Sequence, residues 1–354
     1  MTLRIQDLPA DVLASLRAGT VIPAHPLALT EDRQFNRKRQ RALTRYYVDA
    51  GVGGLAVGVH TTQFAIRDTG LYRPVLTAAM EDARAWTDRP LVMVAGVAGL
   101  TQQAVAEATI ARDIGYHAAL VSMGALKGMS SAQMIAHCRA VAEVMPIIGF
   151  YMQTAVGGIV LDAAFWEEFA RIENAVAIKV APFHRYRSLD VMHGIVAAGA
   201  EDRITLYTGN DDHIVADLTL PFAIRHQGRE VTLRFRGGLL GHWSVWTKAA
   251  VDLLDRIHAA IADGGPVPQD LLALDARVTD CNAAFFDVAN NFHGCIAGCH
   301  EILRRQGLLQ GIWCLDPAEG LSPGQAEELT RVSQDHADLA DDAFVRANLE
   351  RWLA

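Results

Sequence analysis

The stretch Ala175-Val176-Ala177-Ile178-Lys179-Val180-Ala181-Pro182 has the make-up of a short buried strand. Its residues are small or branched and apolar, a proline closes it, and Lys179 is its one polar residue. Side chains alternate across a strand, so Ala177, Lys179 and Ala181 share one face while Ile178 and Val180 share the other. An ammonium on the small-residue face of a buried strand is costly unless it is paired or neutral. Burial lowers the pKa of a lysine, and a neutral amine is a nucleophile. An enzyme that works through an imine needs that combination. The plainer alternative is a lysine that snorkels from the strand end to water.

The chain holds only four lysines, Lys38, Lys127, Lys179 and Lys248. The other basic side chains are arginines, which form no imines. Lys38 sits in a charged helical run, Lys127 in a Gly/Met loop and Lys248 near the start of an amphipathic helix, and all three read as solvated.

With 354 residues the chain can bury one large core or two smaller ones. It is 51% hydrophobic and 20% charged, as ordinary globular proteins are. A net charge of −8 leaves no basic footprint for nucleic acid. No apolar run reaches the roughly 18 residues of a membrane span, and the first residues, with Asp7 and Asp11, lack an apolar signal core. Five cysteines are too few and too odd for a disulfide scaffold. A cytoplasmic protein with reduced thiols is expected.

Outward from the lysine strand, apolar runs alternate with helical patterns. Residues 1–19 read as a short amphipathic extension. Between 20 and 207, seven strands alternate with six helices, and Gly237-Gly238-Leu239-Leu240-Gly241 can supply an eighth strand. Alternation of this kind predicts parallel strands with helical crossovers. Eight such units close into a (β/α)8 TIM barrel of about 250 residues, here residues 20–262. Gly264-Gly265-Pro266-Val267-Pro268 breaks the chain, and 269–354 reads as a C-terminal helical domain.

Several segments, in order, resemble the dihydrodipicolinate synthase/N-acetylneuraminate lyase family of Schiff-base aldolases and dehydratases. Ala50–Val57 leading into His60-Thr61-Thr62 is similar to the family's strand and Gly-Thr-Thr turn. Ile147-Ile148-Gly149-Phe150-Tyr151 resembles the strand that carries its tyrosine, and Ala177-Ile178-Lys179 its Gly-Ile-Lys strand. Tyr207-Thr208-Gly209-Asn210-Asp211-Asp212 resembles its Ser-Gly-Asp-Asp segment, and 311–332 its C-terminal helical segment. The resemblance spans about residues 20–333. It implies a TIM barrel with a helical C-terminal domain, assembled as a homotetramer or homodimer. It implies that Lys179 attacks the ketone of pyruvate or another 2-keto acid, and that Tyr151 beside it is the general acid/base. The imine is itself the electron sink, so no cofactor and no metal are expected. Thr61 and Thr62 would hold the keto-acid carboxylate, with His60, Gly238 and Leu239 close to the substrate.

The sequence also departs from the family. In the synthase the tyrosine is followed by Asn-Val-Pro and then an arginine for the aldehyde's carboxylate; here Met152-Gln153-Thr154-Ala155-Val156-Gly157-Gly158 follows. Without that arginine a bidentate carboxylate anchor is gone. A second tyrosine is replaced by the loop Met123–Met129, and the residues after the threonines are Gln63 and Phe64. The imine machinery is expected to persist and the second-substrate pocket to be less polar. His184, Arg185, His242 and Trp243 stand near the expected mouth. Three alternatives remain: a keto-acid binder without chemistry, a true 4-hydroxy-tetrahydrodipicolinate synthase with an altered aldehyde pocket, and a metal enzyme using Asp211-Asp212-His213 or the denser cluster His293, Cys295, Cys299 and His300. The last cluster matches no zinc spacing, and small residues packing a helix explain it better.

Overall fold

A computed structural model describes residues 2–262 and 264–354. The strands are β1 (Val21–Pro23), β2 (Gly54–Val57), β3 (Val92–Val97), β4 (Ala118–Val121), β5 (Ile147–Met152), β6 (Ala175–Ala181), β7 (Thr205–Thr208), β8 (Phe222–His226), β9 (Arg229–Leu233) and β10 (Phe235–Leu240). Eight of them form one parallel sheet in the order β1-β10-β7-β6-β5-β4-β3-β2. A bridge between Ala24 and Ala56 joins β1 to β2 and closes the ring. The fold is the TIM barrel expected, followed by C-terminal helices.

Helices α1 (Ala10–Ala18), α2 (Arg37–Ala50), α3 (Tyr72–Trp86), α4 (Thr101–Ile114), α5 (Ser131–Ala142), α6 (Ala163–Ala170), α7 (Arg185–Ala197), α8 (Ile214–Thr219) and α9 (Thr247–Ala262) accompany the barrel. Beyond it come α10 (Gln269–Phe285), α11 (Cys295–Arg305), α12 (Gln325–Asp335) and α13 (Asp342–Leu353). Helix ends follow local chemistry. Asn36 accepts from the Arg39 amide at 3.1 Å to start α2, and Asp162 accepts from the Phe165 amide at 2.9 Å to start α6. Gly115 ends α4 with φ 108°, a value that favours glycine.

Strand alternation divides the core in two. Ile22, Ala56, Val94, Leu120, Ile148, Phe150, Ala177 and Leu239 fill the barrel interior. Leu55, Val57, Tyr151, Ile178 and Val180 belong to the larger layer between strands and helices.

The two ends of the barrel are built differently. At the end where strands begin, Val12 and Leu16 of α1 join the interior cluster, and the Tyr207 hydroxyl donates to the Leu16 carbonyl at 2.8 Å. Asn174, just before β6, holds the chain there by accepting from the Ile5 amide and donating to the Leu3 carbonyl, both at 3.0 Å. The polar run 225–230 is the tip of the β8–β9 hairpin, whose Arg229 pairs with Glu201 at the same end. The amino-terminal helix is therefore a plug, and the hairpin is not a lid.

The opposite end stays open, and the C-terminal helices reach over it. They are anchored through Tyr46, whose hydroxyl donates to Asp341 at 2.6 Å and whose ring packs on Trp352. The tail crosses the mouth where the Leu315 amide donates to Gln63 Oε1 at 2.6 Å.

Candidate active site at the barrel mouth

The alternation read from the sequence holds in β6. Ala177 and Ala181 face inward, while Ile178 and Val180 face the helices. Lys179 lies between the two alanines, 8% exposed, and lines a narrow cavity of about 60 Å³. Its Nζ sits over the Phe150 ring, 4.4 Å from the centroid. Burial lowers its pKa, and the negative charge of Asp211 works against that shift. The other lysines are unlike it: Lys38 and Lys127 are exposed, and Lys248 pairs with Asp252.

The lysine does not have the expected phenol beside it. Phe150 is the β5 residue in register with Lys179, whereas Tyr151 pairs with Val180 and points out of the barrel. Tyr151 packs on Trp166, accepts from the Leu161 amide at 3.1 Å and receives Arg187 Nη1 at 3.4 Å. The pairing expected between Lys179 and Tyr151 is corrected by one residue of strand register, which sends a side chain to the opposite face.

The turn after β2 divides its roles. His60 and Thr61 line the cavity, and Thr62 does not. The Thr61 hydroxyl donates to the Ala24 carbonyl at 2.8 Å and the Thr62 hydroxyl to the His25 carbonyl at 2.7 Å. Thr62 Oγ1 also accepts from the Gly58 and Val59 amides. The two threonines thus stitch the turn to β1. Burial, helped by the charge of Lys179, holds His60 down at about 4. Gly238 and Leu239 are not at the cavity: Leu239 packs in the barrel interior and Gly238 lies against Trp243. Gly241, one turn further on, reaches the cavity instead.

The sequence offered Asp211 only as a metal-ligand candidate with Asp212 and His213, not as a neighbour of Lys179. Asp211 is 5% exposed and lines the same cavity as Lys179. The segment before it is tightly held. The buried Asp217 carboxylate receives Thr208 Oγ1 at 2.7 Å and Asn210 Nδ2 at 2.9 Å, and it pairs with Arg185. Asn210 Oδ1 accepts from the Phe183 amide at 3.0 Å. A Cβ on Gly209 would lie 2.6 Å from Lys179 Cε, so glycine lets this segment pass the lysine stem. Burial raises the Asp211 pKa, opposed by the charge of Lys179 and by a 3.0 Å bond from the His242 amide. His242 therefore reaches Asp211 through its main-chain amide, Trp243 does not line the cavity, and Arg185 is taken up by Asp217.

The remaining walls are apolar. Val59, Met152, Val156, Phe183 and Phe286 surround the cavity, with Cys295 from α11. A wider vestibule of about 600 Å³ continues outward past Asn290, Asn291, His293, Asp316 and Glu319. Gln63, Phe183, Asp287, Asn291 and Phe292 adopt positive φ between 50° and 67° around this mouth. Strained backbone of this kind gathers at ligand sites. A separate cavity of about 420 Å³ lies between α9 and the C-terminal helices. Its one lysine is the ion-paired Lys248, so it offers no free amine. Cys299 and His300 are buried within α11 and line neither the cavity nor the vestibule. Among the described residues no three His, Cys, Asp or Glu side chains are grouped to hold a metal ion, and no helix is long and apolar enough to cross a membrane.

A model of the Dihydrodipicolinate synthetase family matches residues 18–222. Among solved structures, the chain is similar to dihydrodipicolinate synthase from Oceanobacillus iheyensis, with 17% identity, 93% of this chain and 99% of that one covered, and a TM-score of 0.71. The chloride inhibited dihydrodipicolinate synthase from Acinetobacter baumannii, complexed with pyruvate, matches at 18% identity, 90% and 98% coverage and a TM-score of 0.72. N-acetylneuraminate lyase from Fusobacterium nucleatum matches at 16% identity, 90% and 98% coverage and a TM-score of 0.70. No curated protein matches the chain in sequence.

Proposed function

The chain belongs to the dihydrodipicolinate synthetase family, and from that premise we propose that it is a Schiff-base lyase, an aldolase or dehydratase acting on pyruvate or another 2-keto acid. The observation that carries this reading is Lys179: a buried amine with a lowered pKa, facing a cavity at the open end of the barrel. Its nitrogen attacks the C2 carbonyl and water leaves. The protonated imine draws electrons from C3, so the C3–C4 bond can break or form, and the enamine left when C3 loses a proton can expel a hydroxyl from C4. His60 and Thr61 line the cavity with Lys179, which supports assigning the substrate carboxylate to this turn. Both threonine hydroxyls already donate to the Ala24 and His25 carbonyls just after β1, which leaves that carboxylate to the main chain of the turn.

The vestibule argues about the second reactant. Apart from Lys179, among the described residues no lysine or arginine lines the cavity or vestibule, while Asp316 and Glu319 do. A second carboxylate would be repelled there. A neutral aldehyde or hydroxylated chain suits the apolar inner wall and the amides of Asn290 and Asn291. This disfavours a synthase that condenses pyruvate with an anionic aldehyde. Assembly as a homodimer or homotetramer belongs to the same reading, and light scattering on the purified protein measures it.

Trapping tests the chemistry. Incubation with pyruvate and borohydride is expected to leave a stable adduct on Lys179, mapped by peptide mass and missing in Lys179→Ala. One observation favours a second reading, a keto-acid binder without turnover: Phe150 stands where a phenol was expected. An intact mass unchanged across a panel of 2-keto acids would select the binder.

A further inference from the structure

An imine on Lys179 needs a partner that moves protons at C3. The phenol expected in that role faces the helices, and the aromatic ring that does face the lysine, Phe150, has no exchangeable proton. Besides Lys179, the titratable side chains lining the inner cavity are His60, Asp211 and Cys295. We propose that the Asp211 carboxylate is the general acid/base of the Lys179 imine, taking and returning the proton at C3.

The placement is specific. Asp211 follows β7, the strand hydrogen-bonded to β6, and Gly209 brings that segment against the lysine stem. No ion pair within 4 Å joins the Lys179 and Asp211 side chains among the described residues, and both line the same cavity. One carboxylate oxygen is fixed by the His242 amide. The Thr208–Asn210–Asp217 network fixes the backbone leading to it. A proton acceptor held this way needs little reorganisation during the step. Its rivals are poorly suited. His60 is pushed down to about 4, a weak base, and burial drives the Cys295 thiol well up. Burial moves Asp211 upward, towards neutral pH, where a general acid/base works best.

The step balances without a co-reactant. Asp211 removes a proton from C3 of the protonated imine. The C–H electron pair becomes the C2=C3 bond, and the C=N π pair moves to nitrogen, giving a neutral enamine and a protonated Asp211. Reversal returns a proton to C3. In an aldol reaction the enamine carbon attacks an aldehyde, and the Asp211 proton goes to the new alkoxide.

This assignment rests on the Schiff-base reading, and two measurements on the full-length protein keep them apart. Borohydride trapping with pyruvate reports the imine. Deuterium entry into the pyruvate methyl group in D2O, followed by proton NMR and normalised to the trapped fraction, reports the C3 step. Asp211→Asn and Asp211→Ala are expected to keep the adduct and to slow exchange by about 10²–10⁴-fold. Added formate is expected to restore part of the exchange in Asp211→Ala, which a purely structural role would not allow. No adduct on the wild-type protein overturns both proposals. An adduct with exchange within threefold of wild type in either folded variant overturns only this one. So does exchange that is lost in His60→Gln while Asp211→Asn retains it.

Discussion

Two pairs of opposite charge are buried in this barrel, and they are built in opposite ways. Arg67 and Glu107 are 9% and 7% exposed and meet at 2.9 Å. Arg67 Nη2 also donates to the Gly58 and Gly96 carbonyls, and its guanidinium lies over Tyr72. Glu107 further accepts from the Ala98 amide and from Gln103 Nε2. That pair ties the β2 and β3 loops to α4. Lys179 and Asp211 are as well buried, yet among the described residues the lysine has no carboxylate within ion-pair distance, and both groups face a cavity. Bonded on most sides, the first pair is mortar. The second keeps its polar atoms facing a space that a substrate can fill.

Removing the lysine should separate the two most sharply. Lys179→Met is expected to abolish the borohydride adduct while unfolding stability stays within about 1 kcal/mol of wild type, because a buried carboxylate that loses its partner can take up a proton. A large drop in chemical-denaturation stability would make the pair structural after all. Its pH signature has a definite sign. The folded pKa of Lys179 lies below the unfolded value of 10.5. Between the two, the unfolded chain holds a proton that the folded chain has released, so stability rises with pH across that window. Lys179→Met should flatten this part of the curve.

Arg67→Met strands Glu107 among groups that cannot follow it, and should cost about 3–5 kcal/mol in urea unfolding. A cost near zero would erase the distinction between the pairs. Gly209→Ala pushes a methyl against Lys179 Cε and Ala181 Cβ. The trapping rate should fall by about 10–100-fold with the fold retained, as misplaced reacting groups generally cost. An unchanged rate would mean that the lysine's approach to this segment is unimportant. The mildest change is Tyr151→Phe. It removes the acceptor of the Leu161 amide and should cost about 1–3 kcal/mol of stability, with the adduct unaffected. A trapping defect in a stably folded Tyr151→Phe would return the phenol to the site.

The strand register explains which of these residues sequence could place. Hydrophobic alternation put Lys179 on one face with Ala177 and Ala181, and the order of apolar runs led to the barrel and its C-terminal helices. The same alternation, applied to β5, puts Phe150 and Tyr151 on opposite faces, but which of them meets the lysine depends on pairing with β6, which no local pattern records. Asp211 was hidden for a related reason. In the chain it is one of two adjacent aspartates before a histidine, and it becomes a site residue only when Gly209 passes the lysine stem and the His242 amide caps its carboxylate.

By itself, then, the sequence pointed to the barrel and to a lone lysine on an apolar strand, because both follow from short-range periodicity and from the cost of putting charge among apolar residues. Only the tertiary structure decided what surrounds that amine. It turned Tyr151 outward, brought Asp211 inward and closed the far end with α1, because those outcomes depend on inter-strand register and on contacts between residues up to 191 positions apart.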